Sequence, residues 1–517
     1  MKKNLKEEIQ VLINNYKLGD YNLVLKKASL LVNEYPKNDF LWNLSGLSFQ
    51  QIGDHKNAIT SFQNALNSNQ NNYSAKNNLA ISYKNIFNYS KAIELLTELI
   101  KKYPKYVNAF TNLANIQNET YFFDDALNNF KKALDIKKDS PEIHLNIANV
   151  FQSTNKIDEA KNHLIQALKI NENFTIADRN LSMLSSYKND ENDDHLKKML
   201  NKLNNTELTD NNKIFLHFGI GKAFEDKKDF DNSFKHFELG NNLKNKNTKN
   251  LIKNFQKKSI DIKKYFKKLN FNEITKFKDE GKMIFIIGLP RSGTTLLEKI
   301  ISSHSKVGSI SEIGFIFREI TSNILTNKKV DENKINFFIN QNLENKFNNL
   351  LKSYNIQNDY IIDKSLNNFW YIGFIKIFFP NAKIIHSFRN PKDNCLSIYK
   401  NLFPTNDSWL YSQEDMAEYY LIYNDLMKFW NEMFEGEIYN CKYEELVNDH
   451  NNKTREIIQF CGLKWEENCL NHQDNKNPIK TLSINQANKK IYSTSINSSK
   501  YYENKLTKLY SILNKLT

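Results

Sequence analysis

The sequence predicts a multidomain chain: an all-α solenoid of short helical repeats, followed by an α/β domain with a central parallel sheet. Three observations carry this expectation. Small residues recur at a spacing of 34 through the first third of the 517 residues. From about residue 260 that period vanishes, and short apolar runs alternate with helical patterns. One such run, Met283 to Ile287, leads through a glycine-bearing turn into an apolar-striped segment from Thr294 to Ile301, which reads as strand, phosphate-cradling turn and helix.

In the first third, Ala58, Ala92, Ala126 and Ala160 lie 34 residues apart, with Val24 in the preceding slot. Gly46, Ala80, Ala114 and Ala148 form a second series, each 12 residues before a member of the first. Antiparallel helices approach closely only where small residues face each other, so the two series describe a helix-turn-helix unit. Pro36 and Pro104, two periods apart, suit helix boundaries because proline stops propagation. About five units span residues 5–174, and the segment from Asn180 to Leu184 starts one more first helix that caps the array. This pattern resembles the tetratricopeptide repeat family, whose units bury their apolar faces only against neighbouring units. The expected domains are therefore 1–187, repeats with a capping helix; 188–260, a charged linker with a degenerate hairpin in which Gly221 and Ser233 reproduce the 12-residue spacing; and 261–517, the α/β domain. Asn78, Asn112, Asn146 and Asn180 also recur at period 34. A carboxamide donates and accepts, so such a column suits an extended peptide backbone, and it resembles the asparagine ladder of repeat-bearing O-linked N-acetylglucosamine transferases. The competing reading is that an asparagine-rich chain places Asn on exposed faces by composition.

A net charge of +14 suits anionic ligands. Lysine is spread along the chain rather than gathered into a basic arm, so nucleic acid is not an expected partner. The four cysteines, Cys395, Cys441, Cys461 and Cys469, show no C-x-x-C pairing and read as reduced core thiols rather than zinc ligands or a disulfide framework. No run approaches the ~20 apolar residues of a membrane span, and the charged start lacks the apolar core of a signal peptide. The expected location is cytoplasmic.

Gly288 and Gly293 are spaced as in the nucleotide loop G-x-x-x-x-G-K-[ST], but Thr294 stands where the lysine belongs, followed by Thr295. That lysine reaches β- and γ-phosphates, so its absence points to a ligand without a γ-phosphate. The turn still offers backbone N–H groups from Ser292 to Leu296, two threonine hydroxyls, a helix N-terminus and the charge of Arg291. Such a site suits a 5′-phosphosulfate, with no metal expected. A second strand, from Ala382 to Phe388, ends at Arg389 and leads into a helix that Asn390 caps and Pro391 begins. Ser397, seven residues past the cap, returns to the same face, so Arg389 and Ser397 can hold a phosphate together. Ile361 and Ile362, and the stretch from Glu437 to Tyr443, are further strand candidates.

The run from Pro290 to Leu296, with the Arg389–Ser397 segment after it, resembles the sulfotransferase superfamily over roughly residues 280–510. The likeness is greatest to tyrosylprotein sulfotransferases and to bacterial proteins that join tetratricopeptide repeats to such a domain. The resemblance implies 3′-phosphoadenosine 5′-phosphosulfate as sulfonate donor, held by Arg291, Ser292, Gly293, Thr294, Thr295 and Leu296 at its 5′ end and by Arg389, Ser397 and Tyr443 at its 3′-phosphate. It places the general base at Glu312, 21 residues past Arg291, with Glu319 the nearest acidic alternative. Lys364 and Arg291 become the cations on the bridging oxygen, Ser483 a serine near the scissile sulfonate, and Lys500 a basic residue reaching the 5′-phosphosulfate where bacterial relatives usually have arginine. His304, well down the first helix, is expected to be structural. The acceptor is a hydroxyl, with protein tyrosine, glycans and small molecules all open, and the repeats would recruit a protein or peptide. One rival is a P-loop kinase or nucleoside triphosphatase, disfavoured by Thr294 and by the lack of a clear magnesium-binding aspartate. The other is a repeat scaffold carrying an inactive transferase, disfavoured by the intact set Arg291, Glu312, Arg389 and Ser397.

Overall fold

The computed structural model describes residues 4–246, 251–269, 282–323, 325–326, 329–330, 343–405, 407–475, 477, 481 and 484–516. The chain forms two compact units, Met1–Val150 with Phe347–Asn355, and Phe151–Lys346 with Ile356–Thr517.

In the first unit, helices pair in sequence: Leu5–Lys17 with Tyr21–Glu34, Asp39–Gln51 with His55–Ser68, Tyr73–Asn85 with Tyr89–Lys102, and Val107–Glu119 with Phe123–Ile136. Polar residues start several of them. The side chains of Asn38, Asp54, Asn72 and Asn88 each accept a hydrogen bond from the backbone N–H three residues on, satisfying a donor the helix itself leaves open. Ala58, Ala80, Ala92, Ala114 and Ala126 are wholly buried, and a Cβ added at Gly46 would lie 2.5 Å from the Phe62 ring. The turns hold a third series at period 34 that composition hides. Gly19, Gly53, Phe87 and Tyr121 have φ of 84°, 80°, 62° and 70°, and Asn155, in the second unit, has 58°. Glycine adopts this left-handed backbone freely, whereas phenylalanine and tyrosine do so at a cost of about 1–2 kcal/mol each, so the packed helix pair dictates the turn. The segment Phe347–Asn355 joins this unit through Tyr354, whose hydroxyl lies 3.3 Å from that of Tyr89 and whose ring meets Tyr121 edge-on at 5.2 Å.

The second unit carries Ile157–Ile170, Thr175–Leu184, Asp193–Lys202 and the hairpin Asp210–Asp226 and Phe230–Lys246. That hairpin repeats the packing rule of the solenoid. A Cβ at Gly221 would lie 2.8 Å from Phe237, sixteen residues on as Phe62 is from Gly46, and Ser233 donates to the Gly221 carbonyl at 2.8 Å.

Among the described residues seven strands follow: β1 (Met283–Ile287), β2 (Val307–Ser309), β3 (Leu325–Thr326), β4 (Lys329–Val330), β5 (Tyr360–Asp363), β6 (Lys383–Phe388) and β7 (Ile438–Lys442). Five form a sheet in the order β2-β5-β1-β6-β7, parallel at every pairing, and β3 and β4 form a separate antiparallel pair. β1 is the centre and is buried along its length. Leu297, Ile300 and Ile301 of the following helix pack with Ile284, Ile286, Ile362 and Ile385 from three strands. The chain fills one side of β1 and then the other, so strand order reverses there, the point beyond whose carboxyl ends open α/β sheets place their ligands. This is the expected α/β architecture. β1 matches its predicted span, and β5, β6 and β7 differ by about one residue at their ends. β2, only three residues long, gave no apolar run to detect. The four cysteines are buried and unpaired. Among the described residues no helix is long and apolar enough to cross a membrane.

Candidate active site

Each strand of the sheet delivers one piece of the site just past its carboxyl end. The Gly288 to Gly293 loop follows β1, Glu312 follows β2, Lys364 follows β5, Arg389 follows β6 and Tyr443 follows β7.

The loop has no room for side chains at its glycines. A Cβ at Gly288 would collide with the Ser387 carbonyl oxygen, and one at Gly293, where φ is 100°, would lie 2.6 Å from the Tyr443 ring. Three hydrogen bonds of 2.8 Å fix the path between them: Ser292 Oγ to the Leu289 carbonyl, Ser387 Oγ to the Ser292 carbonyl, and Asn394 Nδ2 to the Pro290 carbonyl. Arg291 is held at φ 67°, a conformation that a non-glycine residue keeps only when its surroundings impose it. Gly293 brings no capping side chain to the helix Thr294–Ile301, which leaves its first-turn N–H groups to an acceptor from outside the helix. Gly293→Ala is expected to lower unfolding stability by about 1–3 kcal/mol, read by denaturant titration, because both backbone and ring must move.

Beside the loop lies a second element, built on two arginines. Arg291 Nε donates to Ser397 Oγ at 3.2 Å, and its Nη2 donates to Gln486 Oε1. Arg389 donates through Nη1 to the Arg291 carbonyl at 3.5 Å and through Nη2 to the Ser495 carbonyl. Its guanidinium sits 5.0 Å from the centre of the Tyr443 ring, and the Tyr443 hydroxyl lies 2.9 Å from Ser495 Oγ. Burial, with the neighbouring Arg389 charge, pulls the Arg291 pKa down to about 10, which still leaves it cationic at neutral pH. Asp393, wholly buried, accepts backbone N–H groups from Asn497 at 2.6 Å and Ser499 at 2.8 Å. It thereby pins the C-terminal segment beside Arg389.

The third element is an ion cluster. Lys364 is fully buried and donates to Glu312 Oε1, while its ammonium also lies 3.3 Å from Glu298 Oε2. Burial acts against the Lys364 charge, but the Glu312 and Glu298 carboxylates outweigh it and raise its pKa. Glu312 keeps 35% of its side chain exposed, whereas Glu298 is wholly buried. One carboxylate is thus open to solvent and the other is not.

The structure gathers Arg291, Arg389, Ser397 and Tyr443 into one group, and Glu312 with Lys364 into another. Ser292, Thr294 and Thr295 are buried in the loop and helix start, and Thr295 Oγ1 lies 3.3 Å from Thr481 Oγ1. Leu296 packs on the core behind them. Lys500 follows Ser499 in the segment that Asp393 holds, and its ammonium lies 5.1 Å from the Tyr501 ring centre. Ser483 lies outside the described residues. Glu319 pairs with Lys346 at 2.9 Å. His304 lies at 2.8 Å from the Lys464 carbonyl and accepts the Lys306 N–H, holding a turn. In the solenoid, Asn78 donates to Asn43 at 3.2 Å and Asn112 to Asn77 at 2.8 Å, so these two amides tie their repeats to the ones before them, whereas Asn180 accepts from Arg179 at 3.1 Å. Sequence reasoning passed over Asp393, Gln486 and Glu298. Only the last had a signal: it shares a helical stripe with Thr294, Leu297 and Ile301, where an acid is out of place unless paired.

Residues 283–467 match the sequence profile of the Sulfotransferase family, and residues 41–72, 78–106 and 123–178 match three Tetratricopeptide repeat profiles. A curated relative from Aquifex aeolicus (strain VF5), an uncharacterized protein, is 28% identical over 339 residues, which is 62% of this chain and 44% of the relative. The chain therefore spans less than half the length of that relative. Among solved structures, a tetratricopeptide repeat protein from Parabacteroides merdae is 16% identical and covers 46% of this chain and 92% of its own, with a TM-score of 0.36. PilF of Pseudomonas aeruginosa is 16% identical and covers 45% and 88%, with a TM-score of 0.30.

Proposed function

We propose that this chain, in which tetratricopeptide repeats precede a sulfotransferase-family domain, transfers a sulfonate from 3′-phosphoadenosine 5′-phosphosulfate to a hydroxyl acceptor. The observation that carries the reading is the pairing of an accessible carboxylate, Glu312, with a fully buried cation, Lys364, at the same carboxyl end of the sheet as the glycine-lined loop. The residues fit such a donor. The side-chain-free cradle at Gly288 and Gly293 and the Thr294 helix start suit a compact anion, and the Arg389 and Ser397 pair suits a 3′-phosphate. The donor supplies the sulfonate and leaves as 3′-phosphoadenosine 5′-phosphate. Glu312 takes the proton of the attacking hydroxyl, while Lys364 and Arg291 place fixed positive charge where negative charge grows on the bridging oxygen. The acceptor we favour is a protein tyrosine, with the repeats recruiting the protein and their asparagine column contacting its backbone.

Isothermal titration tests the donor. 3′-Phosphoadenosine 5′-phosphate should bind without added magnesium, and Arg389→Ala should weaken it by about 10–100-fold, the value of a charge-assisted hydrogen bond. Adenosine 5′-phosphosulfate, lacking the 3′-phosphate, should lose much less. Tighter, magnesium-dependent binding of ATP would instead favour a phosphoryl-transfer enzyme. Radiolabelled donor with a cell lysate addresses the acceptor: label in protein that survives glycosidase treatment supports peptide transfer.

A further inference from the structure

Glu298 has no part in the donor or acceptor roles above, yet it sits at the hub of the ion cluster. It is wholly buried, on the helix that the loop begins. Its Oε2 lies 3.3 Å from the Lys364 ammonium, and its Oε1 accepts a hydrogen bond from Ser309 Oγ at 2.6 Å. Ser309 Oγ in turn accepts the Ser311 N–H at 2.9 Å, and the Ser311 carbonyl accepts the Lys364 N–H at 3.0 Å. Ser311, at φ 52°, is the residue that turns the chain into Glu312. One buried carboxylate therefore braces both the lysine and the strained turn that presents the base.

The charges explain why a second acid is needed. Lys364 faces two carboxylates, and only Glu312 is open to solvent. When Glu312 accepts the acceptor proton it becomes neutral and ceases to be a counter-ion. A fully buried ammonium with no other partner would then tend to lose its proton or its aim, at the moment its charge is needed. We propose that Glu298 is a positioning residue, the permanent counter-ion that keeps Lys364 charged and aimed while Glu312 changes protonation state. This rests on the sulfonate-transfer reading for its kinetic consequence, but not for its electrostatic one.

The test uses the full chain with lysine labelled at its side-chain nitrogen with 15N, the Lys364 signal being assigned by its loss in Lys364→Arg. In Glu298→Gln, which keeps shape and an acceptor for Ser309, the Lys364 ammonium should titrate roughly one or more pH units lower than in the parent. In turnover assays the alkaline limb of the kcat profile should move the same way, with the KM for donor little changed. Ser309→Ala, a milder change, should move both in the same direction by less, and it carries the test if Glu298→Gln does not fold. Unchanged Lys364 titration in the folded variants would overturn the proposal. A shifted titration in a protein that transfers no sulfonate would leave the counter-ion role standing and overturn the proposed function instead. Transfer by the parent with an unmoved kcat profile in the variants would do the reverse.

Discussion

Glu312→Ala is expected to lower kcat by about 10²–10⁴-fold, the usual worth of a positioned general base, and to leave the affinity for 3′-phosphoadenosine 5′-phosphate nearly unchanged. The separation follows from the architecture. Glu312 comes from the turn after β2, at one edge of the sheet, whereas the groups proposed to hold the nucleotide follow β1, β6 and β7. Lys364 keeps Glu298 at 3.3 Å when Glu312 is removed, so the alanine variant leaves no buried charge unpaired and should fold. Calorimetric titration of the product nucleotide, alongside single-turnover transfer, reads both quantities. Loss of both turnover and nucleotide binding would make Glu312 a structural residue. Retention of turnover would move the base elsewhere, and the proposed mechanism would fail with it.

The fold was legible wherever it rests on spacing or on length of apolar run. Ala58, Ala80, Ala92, Ala114 and Ala126 could be read as helix-pair contacts because closeness of approach restricts the residue to a small one, and they are wholly buried. The turn series was not legible. Its left-handed positions hold Gly19 and Gly53, then Phe87, Tyr121 and Asn155, because the helix pair enforces the backbone and leaves the side chain free to vary. At the site, motifs marked the residues that the structure brings together, Arg291, Arg389, Ser397 and Tyr443. The groups that hold the site were not marked by motifs: Asp393, Glu298 and Gln486 act across 104 or more, 66 and 195 residues of chain, as contacts to Asn497, Lys364 and Arg291. A local pattern marks Glu298 alone, as an acid on an apolar stripe, and none names the distant partner. The asparagine column shows the converse limit, since period 34 located it but gave no hint that Asn78 and Asn112 already bond to Asn43 and Asn77.

Lys364→Met should be the most damaging single substitution in the α/β domain, removing turnover and lowering unfolding stability by about 3–5 kcal/mol, the cost of deleting one partner of a buried ion pair. Methionine fills the volume but leaves Glu298, which is wholly buried, without its cation. Asp363, the preceding residue, already carries a similar burden. Burial pushes its carboxyl up to about 6, against hydrogen bonds from Ser365 and Asn368, and the Glu298 charge adds to the rise. The sign of the pH dependence follows. An acid whose folded pKa lies above its unfolded value binds more protons when folded, so its penalty is absent at low pH, grows through the interval between the two values and is complete above the folded one. For Asp363 that interval runs from 3.8 to about 6. Removing Lys364 leaves a second buried carboxylate, Glu298, charged and without a cation wherever it is ionised, so the deficit of the variant relative to the parent should be larger at about pH 8 than near pH 5. Urea unfolding at both values measures it. A deficit independent of pH would mean that Lys364 contributes packing rather than charge, and it would leave the cluster without the electrostatic tension from which its chemistry is argued.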